Sequence, residues 1–343
     1  MNQAETEPKI AIIILNWNGY HDTIKCLESV LKLRYSNFQI ILLDNGSTDG
    51  SVEIIVNWAG EKRRSSGTRI ESSGRLPDIS VLDINKYDEI SDLDARIIIL
   101  RSNKNLGYGE GGNKALEFAL KKLNSIDYFF FLNNDTYLDA DSLKYAVIVM
   151  QEKNAAIVGF LVKDIHGKIV FSKDTRTPEL FYTTNRFPQI SLERDEISTT
   201  AHGCANLIKK EMILKHKENK GYLFNKKLFI YGEDTEFYLN VYKMGGRIYM
   251  AKEAFVYHKE SQSITSERKE AIKIYYTTRN CIFIANSVFK GFWLAFFHFF
   301  YPLIRIKAAA QKIAYNNLKE AKAILWGLYD GYCGKGGRWK RKL

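Results

Sequence analysis

The polar residues best suited to chemistry in this sequence stand where apolar runs stop. Asp44 follows the run Phe38 to Leu43 and opens Asp44-Asn-Gly-Ser-Thr-Asp-Gly50. A carboxylate just past a buried strand can accept hydrogen bonds from a ribose or a base N–H. An Asx turn or helix N-cap is its ordinary structural use. Asn105-Leu-Gly-Tyr-Gly-Glu-Gly-Gly-Asn113 carries glycines at 107, 109, 111 and 112. They admit close backbone approach and leave amides that can face phosphate. No Gly-Lys-Ser/Thr follows, and the motif comes after the third predicted strand, so it is neither a Walker loop nor a dinucleotide fingerprint. Phe129-Phe-Phe-Leu-Asn-Asn-Asp135 delivers Asn133, Asn134 and Asp135 together, hard oxygen donors suited to Mg²⁺ or Mn²⁺ held jointly with substrate phosphates. Helix capping is the alternative use of Asp135. Glu233, Asp234 and Glu236 follow Phe229-Ile-Tyr-Gly232, and such crowding can poise one carboxylate as a general base. The same residues could instead cap a helix containing Phe237 and Val241. His258 closes Val256-Tyr257-His258, where a core histidine and a ligand are both compatible with the local pattern.

These residues need strands to present them. Ile10 to Leu15 is a short β-branched run stopped by Asn16-Trp-Asn-Gly19, the pattern of a strand buried on both faces. Ile24, Leu27, Val30 and Leu31 then recur at helical spacing. Further strands are predicted at Phe38 to Leu43, Arg96 to Leu100 and Tyr128 to Leu132, with a helix over Val52 to Trp58. The first 150 residues therefore read as doubly wound α/β. Residues 60–94 are polar and weakly periodic, and are expected to be a surface insertion. Ala156 to Val162 and Arg247 to Tyr249 predict further strands at the sheet edge.

Ile282 to Ile304 is dense in Phe, Trp and Leu, but its uninterrupted part, Gly291 to Ile304, is 14 residues and contains His298. A spanning helix needs about 20 apolar residues. Arg305, Lys307, Lys312, Lys319, Lys322 and the tail from Lys335 follow, and rings beside cations suit an anionic membrane surface. A hairpin closing the core, or a homodimer interface, is the other use of such a segment.

Composition narrows the classes. The chain has 343 residues, 45% hydrophobic and 26% charged, which excludes a disordered or collagenous protein. Fifty Lys+Arg against 39 Asp+Glu leave +11, which favours anionic partners. Much of that charge is C-terminal and no nucleic-acid module is recognisable, so nucleic acid is not expected as a partner. Cys26, Cys204, Cys281 and Cys333 form no CxxC pair, so neither a disulfide framework nor a zinc cluster is expected. Met1 to Lys9 lacks the apolar core of a signal peptide, and a cytosolic setting is expected.

Together the motifs resemble the inverting nucleotide-sugar glycosyltransferases of family 2, with the GT-A fold, and most of all their rhamnosyltransferase-type branch. The resemblance runs from about Ile10 to about Asn280. It rests on Ile14-Leu-Asn-Trp-Asn-Gly19, Leu43-Asp-Asn-Gly-Ser-Thr-Asp-Gly-Ser51, Asn105-Leu-Gly-Tyr-Gly109, Phe131-Leu-Asn-Asn-Asp-Thr136, Tyr231-Gly-Glu-Asp234 and Tyr275-Tyr-Thr-Thr-Arg-Asn280. It implies a GT-A-type, Rossmann-like doubly wound mixed sheet over 1–265 and a helical, membrane-associating extension over 266–343. Asp44 would bind base and ribose, with Asn16, Asn45, Asn105, Gly107, Asn113 and Asn134 on the nucleotide side. Asp135 would bind Mg²⁺ or Mn²⁺ with His258, Asn133 replacing the first carboxylate of the family's Asp-x-Asp-type motif. Asp234 would be the catalytic base, and His202, Gly203 and Glu233 would face the acceptor. The implied reaction moves a sugar, L-rhamnose from dTDP-rhamnose first, to a hydroxyl of a lipid-linked surface glycan at the inner face of the cell membrane. UDP-linked galactofuranose, N-acetylhexosamine or glucose is the alternative donor. A non-catalytic nucleotide-sugar or glycan-binding module is the alternative class.

Overall fold

β1 (Ile10–Asn16) and β2 (Phe38–Asp44) are buried along their whole lengths, as uninterrupted β-branched and aliphatic runs require. They pair in parallel, and β5 (Tyr128–Asn133) pairs in parallel on the other side of β1. These elements belong to a computed structural model that describes residues 7–65, 78–87, 93–171, 195–259 and 267–341. Between the strands lie α1 (Tyr20–Leu31), α2 (Ser51–Ser65) and α3 (Tyr108–Lys122). α1 buries Thr23, Cys26, Leu27 and Val30, with Ile24 and Leu31 of the predicted stripe half-buried against the same core. α3 packs its glycine-rich first turns on the sheet, where a Cβ on Gly111 would stand 2.8 Å from Leu15 and one on Gly112 3.1 Å from Phe224.

The strand predicted from Arg96 is β4 (Ile97–Arg101), which pairs with β2. It is fourth in the chain because β3 (Ile79–Asp83) lies inside the stretch expected to be a surface insertion and pairs in parallel with β4. That expectation is corrected in part. The helix predicted to end at Trp58 runs to Ser65, and Ile84 and Tyr87 are buried in the core. Tyr87 packs edge-on against Phe118, so aromatic anchors tie the polar stretch down. Residues 66–77 and 88–92 lie outside the described residues.

Beyond β5 the sheet continues with β6 (Thr136–Leu138), β7 (Ile157–Lys163), β8 (Ile169–Phe171), β9 (Glu196–Ser198), β10 (Ala205–Lys209) and β11 (Ile248–His258). The order is β3-β4-β2-β1-β5-β10-β7-β11-β6, with β8 on β7 and β9 on β11. β10 runs antiparallel to both β5 and β7, so the sheet is mixed. The second-half strands were expected at the edge. β7 and β11 are instead interior, β7 lying between β10 and β11 and β11 between β7 and β6, with α4 (Ser142–Glu152) packed on β7, β10 and β11; α5 (Lys210–Lys220) and α6 (Glu233–Lys243) follow β10 in the chain.

Past the sheet come α7 (Glu267–Val288), α8 (Gly291–Ala314) and α9 (Leu318–Tyr332). α7 packs on α6 and α9, and Leu228, Leu239, Ile282, Phe283, Ile284 and Phe297 form a second apolar cluster at that junction. Among the described residues, no helix is long and apolar enough to cross a membrane. α8 leaves Phe292, Phe296, Phe299, Leu303 and Ile306 exposed at successive spacings of four and three, one continuous stripe along the helix.

Candidate active site

The register of the parallel strands sets Asn16 beside Asp44, and Leu15 beside Asn133. The Asn16 amide donates to Asp44 Oδ1 at 2.8 Å, while Ser47 N–H donates to Oδ2 at 3.1 Å. Asp44 thus closes a turn, the structural use its type allowed, and it also stays buried at the carboxyl end of β2. A carboxylate has about four acceptor positions, so two remain for a ligand. Thr23 links the Asn16 carbonyl, 2.8 Å away, to the Asn134 amide, 3.0 Å away. Asn16, Asp44 and Asn134 are therefore one connected group.

Asn45, Asn105 and Asn113 have a different place. Asn45 accepts from Leu106 N–H at 2.8 Å and donates to the Gly107 carbonyl at 3.1 Å. Asn105 accepts from Gly107 N–H at 2.8 Å. Asn113 exchanges two hydrogen bonds with the backbone of Phe224, at 2.7 and 2.9 Å. All three stitch the 105–113 loop to its surroundings. The glycines there are used the same way: Gly107 has φ +83°, and a Cβ on it would fall 2.4 Å from the Phe229 carbonyl. The loop amides expected to face phosphate are in part taken by these bonds.

Asp135 is followed by a strand, not a helix, which removes the capping use. β6 pairs with β11 so that Thr136 lies opposite His258, and Lys259 N–H donates to the Asp135 carbonyl at 3.1 Å. The two side chains meet, His258 Nε2 to Asp135 Oδ1 at 3.2 Å. Burial alone would lift the Asp135 carboxyl, but the bond and the positive charge of His258 outweigh it and hold it below the usual carboxylate range. β10, antiparallel to β5, swings the 202–204 loop beside this pair, with Asn133 N–H donating to the Cys204 carbonyl at 2.8 Å. The His202 ring stands edge-on to His258 with centroids 5.5 Å apart. Burial, and then the charge of His258, push His202 down to about 4, so it is neutral at pH 7.

His202, Cys204 and His258 place their ligand atoms within 4.8 Å of one another. No cysteine-containing metal cluster was expected without a CxxC pair, and the fold assembles one candidate from the 202–204 loop and the end of β11. His-x-Cys at 202–204 was the available signal. A divalent cation fits this region on other grounds too. His258 Nδ1 and Asn133 Oδ1 are buried with no hydrogen-bond partner. Carboxylate and imidazole suit Mn²⁺ or Mg²⁺, and thiolate and imidazole suit softer ions.

The acidic cluster opens α6. Its N-cap is Gly232, with φ +94° and no side-chain cap, so Glu233 and Asp234 are not there to cap the helix. Glu236 turns away, accepting from the Tyr222 hydroxyl at 3.0 Å. Asp234 Oδ1 accepts from Thr235 N–H at 2.7 Å. Its Oδ2 faces Gly203, where a Cβ would fall 2.1 Å from it. Burial raises the Asp234 carboxyl against the pull of the Thr235 bonds. Burial, and then the charge of Asp234, push Glu233 up to about 8, and its buried Oε2 has no partner. Burial and mutual repulsion thus favour the neutral form on this pair, and on Glu233 in particular. Asp234 is the one placed to accept a proton, and the raised proton affinity suits that task. A chain of neighbours now joins all the groups: Asp135 to His258, His258 to His202, and the adjoining Gly203 to Asp234.

The profile of glycosyl transferase family 2 matches residues 11–71 and 77–216. The chain belongs to this family. A protein of Rickettsia felis (strain ATCC VR-1525 / URRWXCal2), described as an uncharacterized glycosyltransferase, is 24% identical over 184 residues, which is 54% of this chain and 24% of that one. The chain thus spans only about a quarter of that relative's length. The mannosyltransferase PcManGT of Pyrobaculum calidifontis, solved with GDP-Man and Mn²⁺, matches with a TM-score of 0.55 and 14% identity over 96% of this chain and 89% of its own. Residues 1–349 of S. aureus TarS match with a TM-score of 0.51 and 15% identity over 95% of this chain and 72% of that chain. These structural likenesses speak for the fold, a mixed α/β sheet of the GT-A kind.

Gly203→Ala tests the acid geometry. The added methyl must displace the Asp234 carboxylate, the far end of a short side chain, so turnover should fall by about 10²-fold while the melting temperature changes little. Steady-state kinetics beside a melting curve reads both, and full activity would show that Asp234 is not held there in solution.

Proposed function

We propose that the protein is an inverting glycosyltransferase that moves a sugar from a nucleoside diphosphate donor to an acceptor hydroxyl. The observation that carries this reading is the contiguity of Asp135, His258, His202, Gly203 and Asp234 at one end of the sheet, with Asp44 at the end of β2. The family match supports it. The connected group Asn16–Asp44 would take the nucleoside. Asp135 and His258 would hold Mg²⁺ or Mn²⁺, with Cys204 and His202 as neighbouring donors. When bound, the cation supplies charge neutralisation for the departing diphosphate. Asp234 takes the proton of the acceptor hydroxyl as its oxygen bonds to the anomeric carbon. The bond from that carbon to the diphosphate breaks, and in-line attack inverts the configuration. Neutral Glu233 keeps a second negative charge out of the acceptor side. The resemblance to the rhamnosyltransferase-type branch makes dTDP-rhamnose the first donor of this reading, with UDP-linked sugars next.

The acceptor reading is a lipid-linked glycan at the inner face of the membrane. It is supported by the exposed stripe of α8, in which Phe292 is 71%, Phe299 66% and Leu303 54% exposed, and by the basic residues that follow. Rings at headgroup depth and cations against anionic lipid would seat α8 flat on the surface.

A panel of dTDP- and UDP-sugars should give nucleoside diphosphate release that EDTA abolishes and Mg²⁺ or Mn²⁺ restores, with Asp135→Ala not responding to metal. Release in the presence of chelator would remove Asp135 and His258 from the proposed role. Asp234→Asn should lower transfer by about 10²–10⁴-fold with donor affinity unchanged. If Asp234→Asn turns over normally and Glu233→Gln does not, the base is Glu233. Vesicle co-sedimentation should require anionic lipid and weaken with salt, because screening acts over about 8 Å at physiological ionic strength. Phe299→Asp should weaken it further. Equal binding to neutral vesicles would overturn the electrostatic half of the assignment, and no binding to either would overturn the membrane assignment itself.

A further inference from the structure

The loop 227–232 lies between two parts of the site and is held in a costly conformation. Phe229 has φ +66° and Tyr231 φ +68°, both aromatic residues in the left-handed region, and Gly232 follows at +94°. Bulky residues persist there only where their surroundings over-determine them. The loop's carbonyls supply that constraint. Asn280 points its amide nitrogen at the carbonyls of Leu228, Ile230 and Tyr231, at 3.0, 2.9 and 2.7 Å. Arg279, among the largest fully buried side chains, gives Nη2 to the carbonyls of Lys227 and Leu228 at 3.0 and 2.8 Å. Its Nε donates to Asn280 Oδ1 at 3.0 Å, which fixes the amide with its nitrogen towards the loop. The other arm of the guanidinium reaches the Gly337 carbonyl at 2.7 Å, tying the C-terminal tail over the same point.

Both ends of the clamped loop reach the site. At its start, Tyr108 N–H donates to the Phe229 carbonyl at 2.7 Å, and the bare face of Gly107 lies against the same oxygen. At its end, Gly232 begins the helix whose first residues are Glu233 and Asp234. Ile282, Phe283 and Ile284 of α7 share an apolar cluster with Leu239 of α6, so the two helices are also joined by apolar burial. The three carbonyls that Asn280 takes all lie within the loop. We propose that Arg279 and Asn280 are positioning residues, which hold loop 227–232 in its left-handed form and so aim Asp234 at the acceptor. This rests on the glycosyltransferase reading above for what the aimed carboxylate does.

Asn280→Asp tests it with almost no change of shape. The acceptor for Arg279 Nε is kept, while the nitrogen facing three carbonyls becomes an oxygen that opposes them. A displaced catalytic group costs about 10²-fold in rate, so kcat should fall by about that factor while donor KM stays at the wild-type value. Asn280→Ser should fall less, because its hydroxyl can serve one carbonyl. In the full chain, amide exchange over 229–235 should quicken in Asn280→Asp while β1 and β5 exchange as in the wild type. Wild-type kcat and unchanged exchange would overturn the proposal. So would loss of the fold in both variants, which would make Asn280 a support of the whole domain. If the wild type releases no nucleoside diphosphate from any donor, the glycosyltransferase reading has failed, and the exchange measurement still decides whether the clamp exists.

Discussion

The parallel register of β1, β2 and β5 puts Asn16 beside Asp44 and Leu15 beside Asn133, so strands buried on both faces all run out along one line. A buried backbone must satisfy its polar groups within the sheet, which leaves no freedom to slide one strand against another. A slip of a single residue would exchange the two buried faces of a strand, mismatch their packing and part Asn16 from Asp44. The hydrogen bonds through Thr23 to Asn134 exist only in this register. Packing of the core and alignment of the polar edge are therefore the same constraint.

The second half of the sheet uses that edge differently. β10 enters antiparallel beside β5 and brings His202, Gly203 and Cys204 to the place where β5 ends. β11 arrives from the far side and pairs with β6, so that His258 meets Asp135. Acid groups from these separate elements are crowded into a region largely closed to water. Burial resists charge there, and the molecule answers it in two ways. Asp135 is held ionised by His258, whereas Glu233, next to Asp234 and without a cationic partner of that kind, retains its proton. Two carboxyl groups of similar intrinsic acidity are thereby pushed in opposite directions, Asp135 towards its charged form and Glu233 towards its neutral one.

The C-terminal helices serve the site from outside the sheet. α7 spends its buried polar residues on the loop before α6, and α9 covers α7. α8 contributes Phe297 to the apolar junction and turns the rest of its aromatic residues outward. The same extension thus supports the acidic cluster and offers the proposed membrane face.

Much of this was legible in the sequence. Strands such as Ile10 to Leu15 and Phe38 to Leu43 declare themselves because burial on both faces demands continuous apolar residues, and polar residues at their ends mark the ligand edge. β3 was hidden because an edge strand buries little, and Ile79–Asp83 alternates within a polar stretch. The roles of Asn45, Asn105 and Asn113 were not readable either, since an amide that serves backbone looks like one that serves a ligand until the partner is known. Local spacing showed that Asp44, Asp135 and Asp234 had chemical potential. Only the tertiary structure decided that Cys204 joins His202 and His258, that Gly203 must lack a side chain for Asp234, and that Arg279 and Asn280 hold a loop about 50 residues away in the chain. The physical reason is that periodicity and end residues report burial along one element, whereas contacts between elements depend on sheet order and register, which no single segment encodes.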